Sequence, residues 1–427
     1  MSHHSAGSES DPLVGYITSN WDASVRCAVP APHVVPVPIR HTVPSPFGRF
    51  NVLFYWDTYF TNLGLLRTGR LDLARSNCDA LLWWIDQLGY VPNSAFRGDA
   101  TRSQPPVLSL MIREVHRAAP DRAWLASTLP RLRREHAVWD EHRTFPAGLA
   151  HYGPQAAAAF LRDFNHRILR RRLPGARALA PEAVLEFAGQ LLAEAESGQD
   201  FTPLYHHRAL DHADVELNCL LWALEDNLAR FTGELELTDE ARAWAARAEL
   251  RAARIRTTLW DDTTGLFRPF DQRHRCFASI AHAGTFWPLW FGLATVPQAQ
   301  AVQRNLTRFE GRWGVAQTEP YPGKQSYQWA FPNGWPPTQW AAAAGLARYG
   351  FTADARRLAE HHRAAHRRLF EETGQLWEKI DVTTGRPAGG EYDAEPMLGW
   401  SAGVYLALAD PTTSRRPGPS SADCSTG

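Results

Sequence analysis

The sequence has few cysteines, and none of them is arranged to hold a metal ion or a disulfide framework. Its 427 residues contain five cysteines, an odd number that is widely scattered and includes no CxxC pair. Closely spaced cysteine pairs are typical of zinc sites and disulfide scaffolds, so we expect neither. The 17 histidines include no HExxH motif, which would put two zinc ligands on one helix face. We therefore expect no metal and no cofactor.

Long apolar runs and an excess of charge are also missing. No stretch reaches the roughly 18 to 20 apolar residues of a membrane-spanning helix, and the N-terminal MSHHSAGSESDP lacks the basic and apolar regions of a signal peptide. Lys plus Arg and Asp plus Glu each number 45, which leaves no basic footprint for nucleic acid. We expect a cytoplasmic protein with no membrane or nucleic-acid partner. The basic cluster RILRRRLPGAR, residues 167–177, is predicted to be a solvated helix face.

Three common motifs of enzymes and nucleotide-binding proteins are absent as well. The chain has no GxSxG nucleophile elbow, no GxxxxGK[ST] phosphate loop and no GxGxxG after a strand. These absences argue against a serine hydrolase, a P-loop nucleotidase and a dinucleotide-dependent oxidoreductase.

What the sequence does contain is a series of long helical patterns. Segments such as DVELNCLLWALEDNLARFTG and TADARRLAEHHRAAHRRLFEETG carry apolar residues at spacings of three and four, and strands are scarce. Two helix exits, LWDDTTGLFRPFD and LFEETGQLWEKID, resemble each other, which suggests helix pairs around a ring with working residues on the loops at one end. We predict an all-α toroid, a single domain over residues 13–410 between disordered tails at 1–12 and 411–427; a helical solenoid for protein binding is the alternative.

Polar and aromatic residues are concentrated in segments that break the helical pattern. The tryptophan segment, SYQWAFPNGWPPTQW at 326–340, has three tryptophans and no charge, and we predict it to be a loop because Pro336 and Pro337 break helices. Four other segments supply Arg49, Trp56, Asp57, Asn93, Arg102, Gln104, Asp200, Glu378 and Glu391.

This set of side chains is typical of a carbohydrate-active enzyme. Glycoside hydrolysis needs one carboxylic acid to protonate the departing oxygen and one carboxylate to activate water or to attack the sugar. Aromatic faces and Asn, Gln and Arg side chains hold the sugar hydroxyls. The residues alone therefore indicate a glycosidase.

Five motifs, in order from about residue 44 to 402, resemble those of trehalases, glycoside hydrolase family 37, whose clan includes family 63. The trehalase motif PGGRFxxxYxWDxYF is similar to residues 46–60, and PNGxRxYYxxRSQPP is similar to PNSAFRGDATRSQPP at 92–106. The family's SGWDFS is similar to SGQDFT, its QWDxPNGWPP to QWAFPNGWPP, and its EKYD…GGGGEY to EKID…GGEY.

The resemblance implies an (α/α)6 barrel and an inverting glycosidase. It implies that Asp200 is the general acid and Glu378 the general base. With the residues singled out above, the candidate substrate-binding set is Arg49, Phe50, Trp56, Asp57, Asn93, Arg102, Gln104, Gly198, Gln328, Trp329 and Glu391. We expect Arg49 and Arg102 to hold sugar hydroxyls and to bias Asp57 towards its charged form.

Several positions depart from the family pattern. Gln199 and Ala330 stand where trehalases have Trp and Asp, and Asp99 lies where the second motif has a tyrosine pair. The family's PESYRED segment has no clear copy; Arg162 in FLRDF is a candidate for its arginine. Ala330 is expected to leave room for a bulkier aglycone or to cost trehalose one hydrogen bond.

These departures leave the substrate open. We expect α,α-trehalose, with glucosylglycerate, mannosylglycerate or another small α-glycoside as the alternative. Two other functions stay open: the protein is a sugar-binding relative that has lost turnover, or it is a transferase or isomerase built on the same toroid. The partner is expected to be a small sugar, and the protein a monomer or weak homo-oligomer.

Overall fold

The computed structural model describes residues 11–153, 156–172, 180–323 and 326–414. These residues form fourteen α-helices. Their bounds are α1 Pro12–Asn20, α2 Tyr55–Arg67, α3 Leu71–Leu88, α4 Leu108–Ala118, α5 Arg122–His142, α6 Ala158–Arg172, α7 Pro181–Glu196, α8 Val215–Glu234, α9 Thr238–Thr258, α10 Trp287–Phe291, α11 Val296–Arg304, α12 Pro336–Arg348, α13 Thr352–Thr373 and α14 Gly399–Ala407.

Six of these helices form a closed inner ring. In order, α2, α4, α8, α10, α12 and α14 each contact the next, and α14 packs against α2 to close the ring. Outside it, α3 packs on α2 and α4, α5 on α4 and α8, α9 on α8, and α13 on α12 and α14. The predicted all-α barrel is confirmed, and the solenoid alternative is wrong because the first and last ring helices are neighbours.

The inner helices are buried over most of their length. Most residues of α2, α8, α12 and α14 are buried, whereas α9 and α13 carry arginines and glutamates on their outer faces. Glycines close the seam between α2 and α14. A Cβ on Gly403 would lie 1.9 Å from the carbonyl oxygen of Phe60, and one on Gly64 would lie 2.8 Å from the Cα of Gly403. A larger residue at Gly403 would force the ring apart.

Short antiparallel strands of two residues each join the loops. The pairs are β1 Val25–Arg26 with β2 His41–Thr42, β4 Trp260–Asp261 with β5 Leu266–Phe267, β8 Glu310–Gly311 with β9 Gly314–Val315, and β10 Asn333–Gly334 with β11 Ile380–Asp381. A three-stranded sheet has β6 Phe270–Asp271 between β3 His212–Ala213 and β7 Cys276–Phe277. The β10–β11 pair matters for function because it ties the tryptophan segment to the chain that follows Glu378.

Two boundaries differ from the prediction. The tryptophan segment is a loop only as far as Trp335, because Pro336 and Pro337 begin α12. Proline is tolerated in the first helical turn, where its missing N–H has no intrahelical partner in any case. The expected tails fall mostly on residues 1–10 and 415–427, which lie outside the described residues. Inside them, Pro12 begins α1, and residues 411–414 form a 3-10 turn anchored by the Thr412 N–H, which donates to Asp410 at 2.9 Å.

Within the described ranges, none of the helices is long and apolar enough to cross a membrane.

Candidate active site

One cavity of about 250 Å³ brings nearly all the predicted site residues together. It is lined by loops, by the first turns of α2 and α14, and by residues near the ends of α6 and α7. The predicted residues that line it are Arg49, Phe50, Trp56, Asp57, Asn93, Arg102, Gln104, Gly198, Asp200, Trp329, Glu378 and Glu391. Residues outside the predicted site set also line it: Phe54, Phe96, Asp99, Arg171, Ala195, Trp335, Tyr392, Met397 and Trp400.

The first turn of α2 is held by the segment that contains the second motif. The N–H of Trp56, which has no partner within the helix, donates to the side-chain oxygen of Gln104 at 3.1 Å. The N–H of Asn93 donates to the carbonyl of Arg102 at 2.9 Å, and the Arg102 guanidinium lies 3.4 Å from the Asn93 side-chain oxygen. These bonds put two distant motifs on one wall of the cavity.

Asp200 stands on a loop, residues 197–202, that leaves the end of α7; we refer to it as the acid loop. Gly198 has a φ of 74°, and a Cβ there would come 3.1 Å from the Trp56 indole, so glycine allows the loop to lie against that ring. After Asp200, the Phe201 N–H donates to the buried carboxylate of Glu194 at 2.7 Å. The Asp200 side chain is 39% exposed and faces the cavity.

Arg172 joins Asp200 to Glu391. Its guanidinium donates to the Asp200 carboxylate and to both oxygens of Glu391, at 2.7 and 3.0 Å, and it lies over the Phe201 ring. Arg171 adds a contact of 3.0 Å to Glu391. The side chain of Arg172 is only 4% exposed, and pairing with carboxylates is what makes burying such a charge tolerable.

The basic cluster is therefore not the solvated face that was predicted, at least at Arg172. A run of like charges does not reveal which member turns inward, so the sequence offered no signal for it. Arg162, the candidate for the arginine of the family's PESYRED segment, is not a site residue either. Its side chain is exposed and does not line the cavity. Residues 173–179 of the cluster lie outside the described residues.

Glu378 is buried and held by two donors. Its carboxylate accepts from the Lys379 ammonium at 2.9 Å and from the Tyr392 hydroxyl at 2.8 Å. Burial raises the pKa of Glu378, while the charge and hydrogen bond of Lys379 act in the opposite direction. Lys379 itself lies 4.1 Å from the centre of the Tyr392 ring. The two donors fix the carboxylate and partly offset the effect of burial, which still leaves the pKa of Glu378 above its usual value.

Asp57 has a different charge state from the one expected. Burial raises the pKa of Asp57 to about 8, and the nearby charge of Glu378 adds to this effect. The prediction that two arginines bias Asp57 towards its charged form is wrong because both have other partners: Arg49 pairs with Glu395, and Arg102 lies 2.9 Å from Asp99. Near neutral pH Asp57 is mostly a protonated acid, which can both donate to and accept from a hydroxyl group.

The tryptophan segment forms the back of the cavity. Trp329 stacks on Trp335 with ring centres 3.7 Å apart and planes 6° from parallel. The N–H groups of Gln328 and Trp329 both donate to the Phe201 carbonyl, at 3.0 and 3.2 Å, so this wall is bonded to the acid loop. One face of Trp329 is thus already covered by another indole.

Two residues of the tryptophan segment do not take the positions that were expected. Gln328 does not line the cavity; it is buried, and its side-chain oxygen accepts from the Glu391 N–H at 2.8 Å. Ala330 is completely buried outside the lining, so its methyl group leaves no room for an aglycone. An irregular loop has no period from which the direction of each side chain could be read.

One group in the described part of the chain could offer three ligand atoms to a metal, namely Asp211, Asp271 and His274. It lies away from the cavity residues. Its geometry is explained by a turn in which the N–H and ring of His274 bond to Asp271 at 2.8 and 2.9 Å.

Comparisons with known proteins agree with this geometry. The trehalase family profile matches residues 11–156 and 181–412. A periplasmic trehalase of Pseudomonas aeruginosa is 32% identical over 426 residues, covering 93% of this chain and 76% of the relative. The structure of the neutral trehalase of Saccharomyces cerevisiae has a TM-score of 0.74 at 25% identity, covering 95% of this chain and 80% of that one. A family 63 mannosylglycerate hydrolase of Thermus thermophilus shares the fold, with a TM-score of 0.64 at 20% identity over 93% of this chain and all of its own.

The expected cytoplasmic location is contradicted by the Pseudomonas relative, whose name assigns it to the periplasm. That expectation used the absence of long apolar runs and the composition of the N-terminal segment, of which residues 1–10 lie outside the described part. The family expectation, in contrast, is confirmed by the profile match, the relative and the shared barrel. The chain belongs to the trehalase family of glycoside hydrolases.

Proposed function

We propose that this protein hydrolyses α,α-trehalose to two glucose molecules, with inversion at the carbon that is attacked. The observation that carries the proposal is that two carboxyl groups of unlike environment line one cavity. Asp200 is partly exposed on a loop, and Glu378 is buried between an ammonium and a hydroxyl group. Glycoside hydrolysis requires one carboxyl group that donates a proton and one that accepts a proton, and the motifs assign these roles to Asp200 and Glu378.

The proposed reaction assigns one proton transfer to each carboxyl group. Asp200 gives its proton to the glycosidic oxygen as the bond from that oxygen to C1 breaks. Glu378 takes a proton from a water molecule, whose oxygen forms the new bond to C1 from the opposite face. One glucose then leaves with the proton from Asp200, and the other carries the hydroxyl from water. At the end Asp200 has lost one proton and Glu378 has gained one, and proton exchange with solvent returns both groups to their starting states.

The remaining cavity residues are proposed to hold the sugar. Asp57, Asn93 and Gln104 offer polar groups that can bond hydroxyls, and the indole of Trp56 offers an apolar face. Protonated Asp57 suits a neutral sugar because it brings no charge of its own. Phe50 and Trp329 add to the apolar lining.

The charge pairing of the cavity favours a neutral substrate over a glycosylglycerate. Among the described residues, every cation that lines or adjoins the cavity contacts a carboxylate: Arg49 with Glu395, Arg102 with Asp99, Arg171 and Arg172 with Glu391, and Lys379 with Glu378. A substrate carboxylate would have to compete with one of these groups. Among these carboxylates we choose Asp99 for the test, because it lines the cavity and stands where the family motif has a tyrosine.

Asp99→Asn is expected to relax the preference for a neutral substrate. Removing the carboxylate leaves Arg102 without its ionic partner and removes a like charge from the path of an anionic aglycone. A hydrogen bond to a charged group contributes about 1.5 to 3 kcal/mol, so kcat/KM for glucosylglycerate relative to trehalose should rise by about tenfold or more. The measurement is the ratio of the two kcat/KM values in the variant and the wild type.

Asp86→Asn is the matched control, since Asp86 pairs with Arg131 on an exposed helix surface away from the cavity. It should leave the substrate ratio unchanged. If Asp99→Asn also leaves the ratio unchanged, Asp99 does not discriminate between neutral and anionic substrates.

The proposed function is tested by incubating the purified protein with trehalose, glucosylglycerate and mannosylglycerate and following glucose or mannose release. Trehalose is expected to have the highest kcat/KM of the three. A higher value for either glycerate would assign the protein to the alternative substrate class, and no turnover of any of them would make it a sugar-binding relative.

We further propose that residues 13–410 act as one catalytic domain and that the protein works as a monomer or weak homo-oligomer.

We also propose that this protein acts in the periplasm, which is supported by the name of the Pseudomonas relative.

A further inference from the structure

Gln199 immediately precedes the proposed general acid, yet its side chain turns away from the cavity. It is 3% exposed and does not line the cavity. Its side chain instead lies in the interior of the barrel, beneath the acid loop. This is also a position at which the chain departs from the trehalase motif, which has a tryptophan.

The amide of Gln199 is bonded on both of its ends. Its nitrogen donates to Glu216 at 2.5 Å, and its oxygen accepts from the side-chain nitrogen of Gln317 at 2.9 Å. The same oxygen lies 2.7 Å from His282 Nε2, and Gln317 in turn accepts from the hydroxyl of Thr338. Glu216 lies in the first turn of α8, so the amide ties the acid loop directly to that helix. It reaches the 3-10 turn before α10 through His282 and the first turn of α12 through Gln317 and Thr338.

The protonation of the neighbouring groups fixes the direction of these bonds. His282 Nδ1 accepts from the N–H of Gly284 at 2.9 Å, and burial lowers the pKa of His282 to about 3. The ring is therefore neutral, and its one proton, on Nε2, is donated to the oxygen of Gln199. Burial, together with the nearby charge of Asp214, also raises the pKa of Glu216 well above its usual value. The amide of Gln199 matches both neighbours in the orientation seen here, with its nitrogen towards Glu216 and its oxygen towards His282.

The chain on the other side of Asp200 is held just as firmly. The N–H of Phe201 is bonded to Glu194, and the carbonyl of Phe201 accepts from the tryptophan segment. Asp200 thus stands between an anchored side chain before it and an anchored peptide group after it. A carboxyl group that must meet the glycosidic oxygen within hydrogen-bond reach depends on both anchors.

We infer that Gln199 is a positioning residue for the proton donor Asp200, acting through its buried bonds to Glu216, His282 and Gln317. The inference rests on the proposed function, because it gives Gln199 a role in protonating the leaving group of trehalose. Gln199 does not touch the substrate. Its loss should let the acid loop shift, and a displacement of about 1 Å at a reacting group can cost about 10²-fold in rate.

The test compares two substrates that differ in their need for an acid. Trehalose requires protonation of its leaving oxygen, whereas the fluoride of α-glucosyl fluoride departs with little help, so misplacing the acid affects only trehalose. Gln199→Met keeps the length of the side chain and removes its polar atoms. It is expected to lower kcat for trehalose by about 10- to 100-fold and to leave KM and the kcat for α-glucosyl fluoride within about threefold of wild type.

Two further variants complete the experiment. Gln298→Met is the control, because the Gln298 side chain is also bonded at both ends, to Thr295 and Arg256, but lies in α11, outside the acid loop and the cavity lining. It should not change the ratio of the two kcat values. Gln317→Met removes one donor to Gln199 and should lower the kcat for trehalose relative to the kcat for α-glucosyl fluoride, by a smaller factor than Gln199→Met does. If thermal unfolding shows that Gln199→Met does not fold, Gln317→Met is the variant that tests the inference.

The outcomes separate this inference from the proposed function. A wild-type protein that does not turn over trehalose contradicts both. If the wild type hydrolyses trehalose and the ratio in the folded variants stays within about threefold of wild type, or if both substrates lose activity equally, Gln199 has no specific role in placing the acid.

Discussion

Asp200→Asn is expected to lower kcat for trehalose by about 10³-fold or more, within the upper part of the range of about 10² to 10⁴ for general acid catalysis. Asparagine has the shape of the acid but no proton to give to the glycosidic oxygen. KM should change little, because the sugar contacts of the other cavity residues remain. The measurement is steady-state kinetics on trehalose, together with thermal unfolding to show that the variant is folded.

The comparison with α-glucosyl fluoride makes this prediction specific. Because that leaving group needs little protonation, Asp200→Asn should keep most of its activity on the fluoride. Asp163→Asn, an exposed aspartate paired with Arg167, is the control for the substitution itself and should behave as wild type on both substrates. Near wild-type turnover of trehalose by Asp200→Asn would show that another group is the acid.

Glu378→Gln is expected to abolish activity on both substrates, with a loss of kcat of about 10³-fold or more. The reason is that a water molecule must be deprotonated whether the leaving group is glucose or fluoride, and glutamine cannot accept that proton. This variant and Asp200→Asn therefore lose similar activity on trehalose but differ in their activity on the fluoride. The ratio of kcat values for the fluoride and for trehalose is the measured quantity.

Folding has to be controlled separately at Glu378. Removing one partner of a buried ion pair can destabilise a protein by about 3 to 5 kcal/mol, and Glu378→Gln leaves Lys379 without its carboxylate. Glu378→Asp keeps the charge but withdraws it by one methylene group, so it should fold and still be strongly impaired on both substrates. Glu372→Gln, which changes an exposed carboxylate paired with Arg386, is the surface control. Full activity of Glu378→Asp and Glu378→Gln on the fluoride would exclude Glu378 as the base.

The sequence was informative where function imposes residue types in a fixed order. The motifs around Arg49, Asp200 and Glu378 are far apart in the chain, yet all reach one cavity. Helical periodicity predicted the all-α class, and two similar helix exits predicted the ring. Its closure depends on residues such as Gly403 that have no pattern of their own. Their role becomes visible only when two helices are seen in contact.

The errors of prediction have a common physical origin. The inward turn of Arg172, the burial of Gln328 and Ala330, and the protonation of Asp57 all depend on what surrounds a side chain in three dimensions. Composition alone gives an arginine run a solvated face and an aspartate a charge. Burial next to partners from other segments reverses both expectations.

The most direct test of the account is the anomeric form of the glucose that is released first, observed by proton NMR in the first minutes of trehalose hydrolysis, before mutarotation. In the inverting reaction the carboxyl groups of an acid and a base are roughly 6.5 to 9.5 Å apart, which leaves room for the attacking water. The glucose that is attacked then leaves as the β-anomer and the other as the α-anomer, so the account predicts the two anomers in equal amounts. If only α-glucose is present at the start, the reaction proceeds with retention, and the roles of Asp200 as acid and Glu378 as base in an inverting trehalase are contradicted.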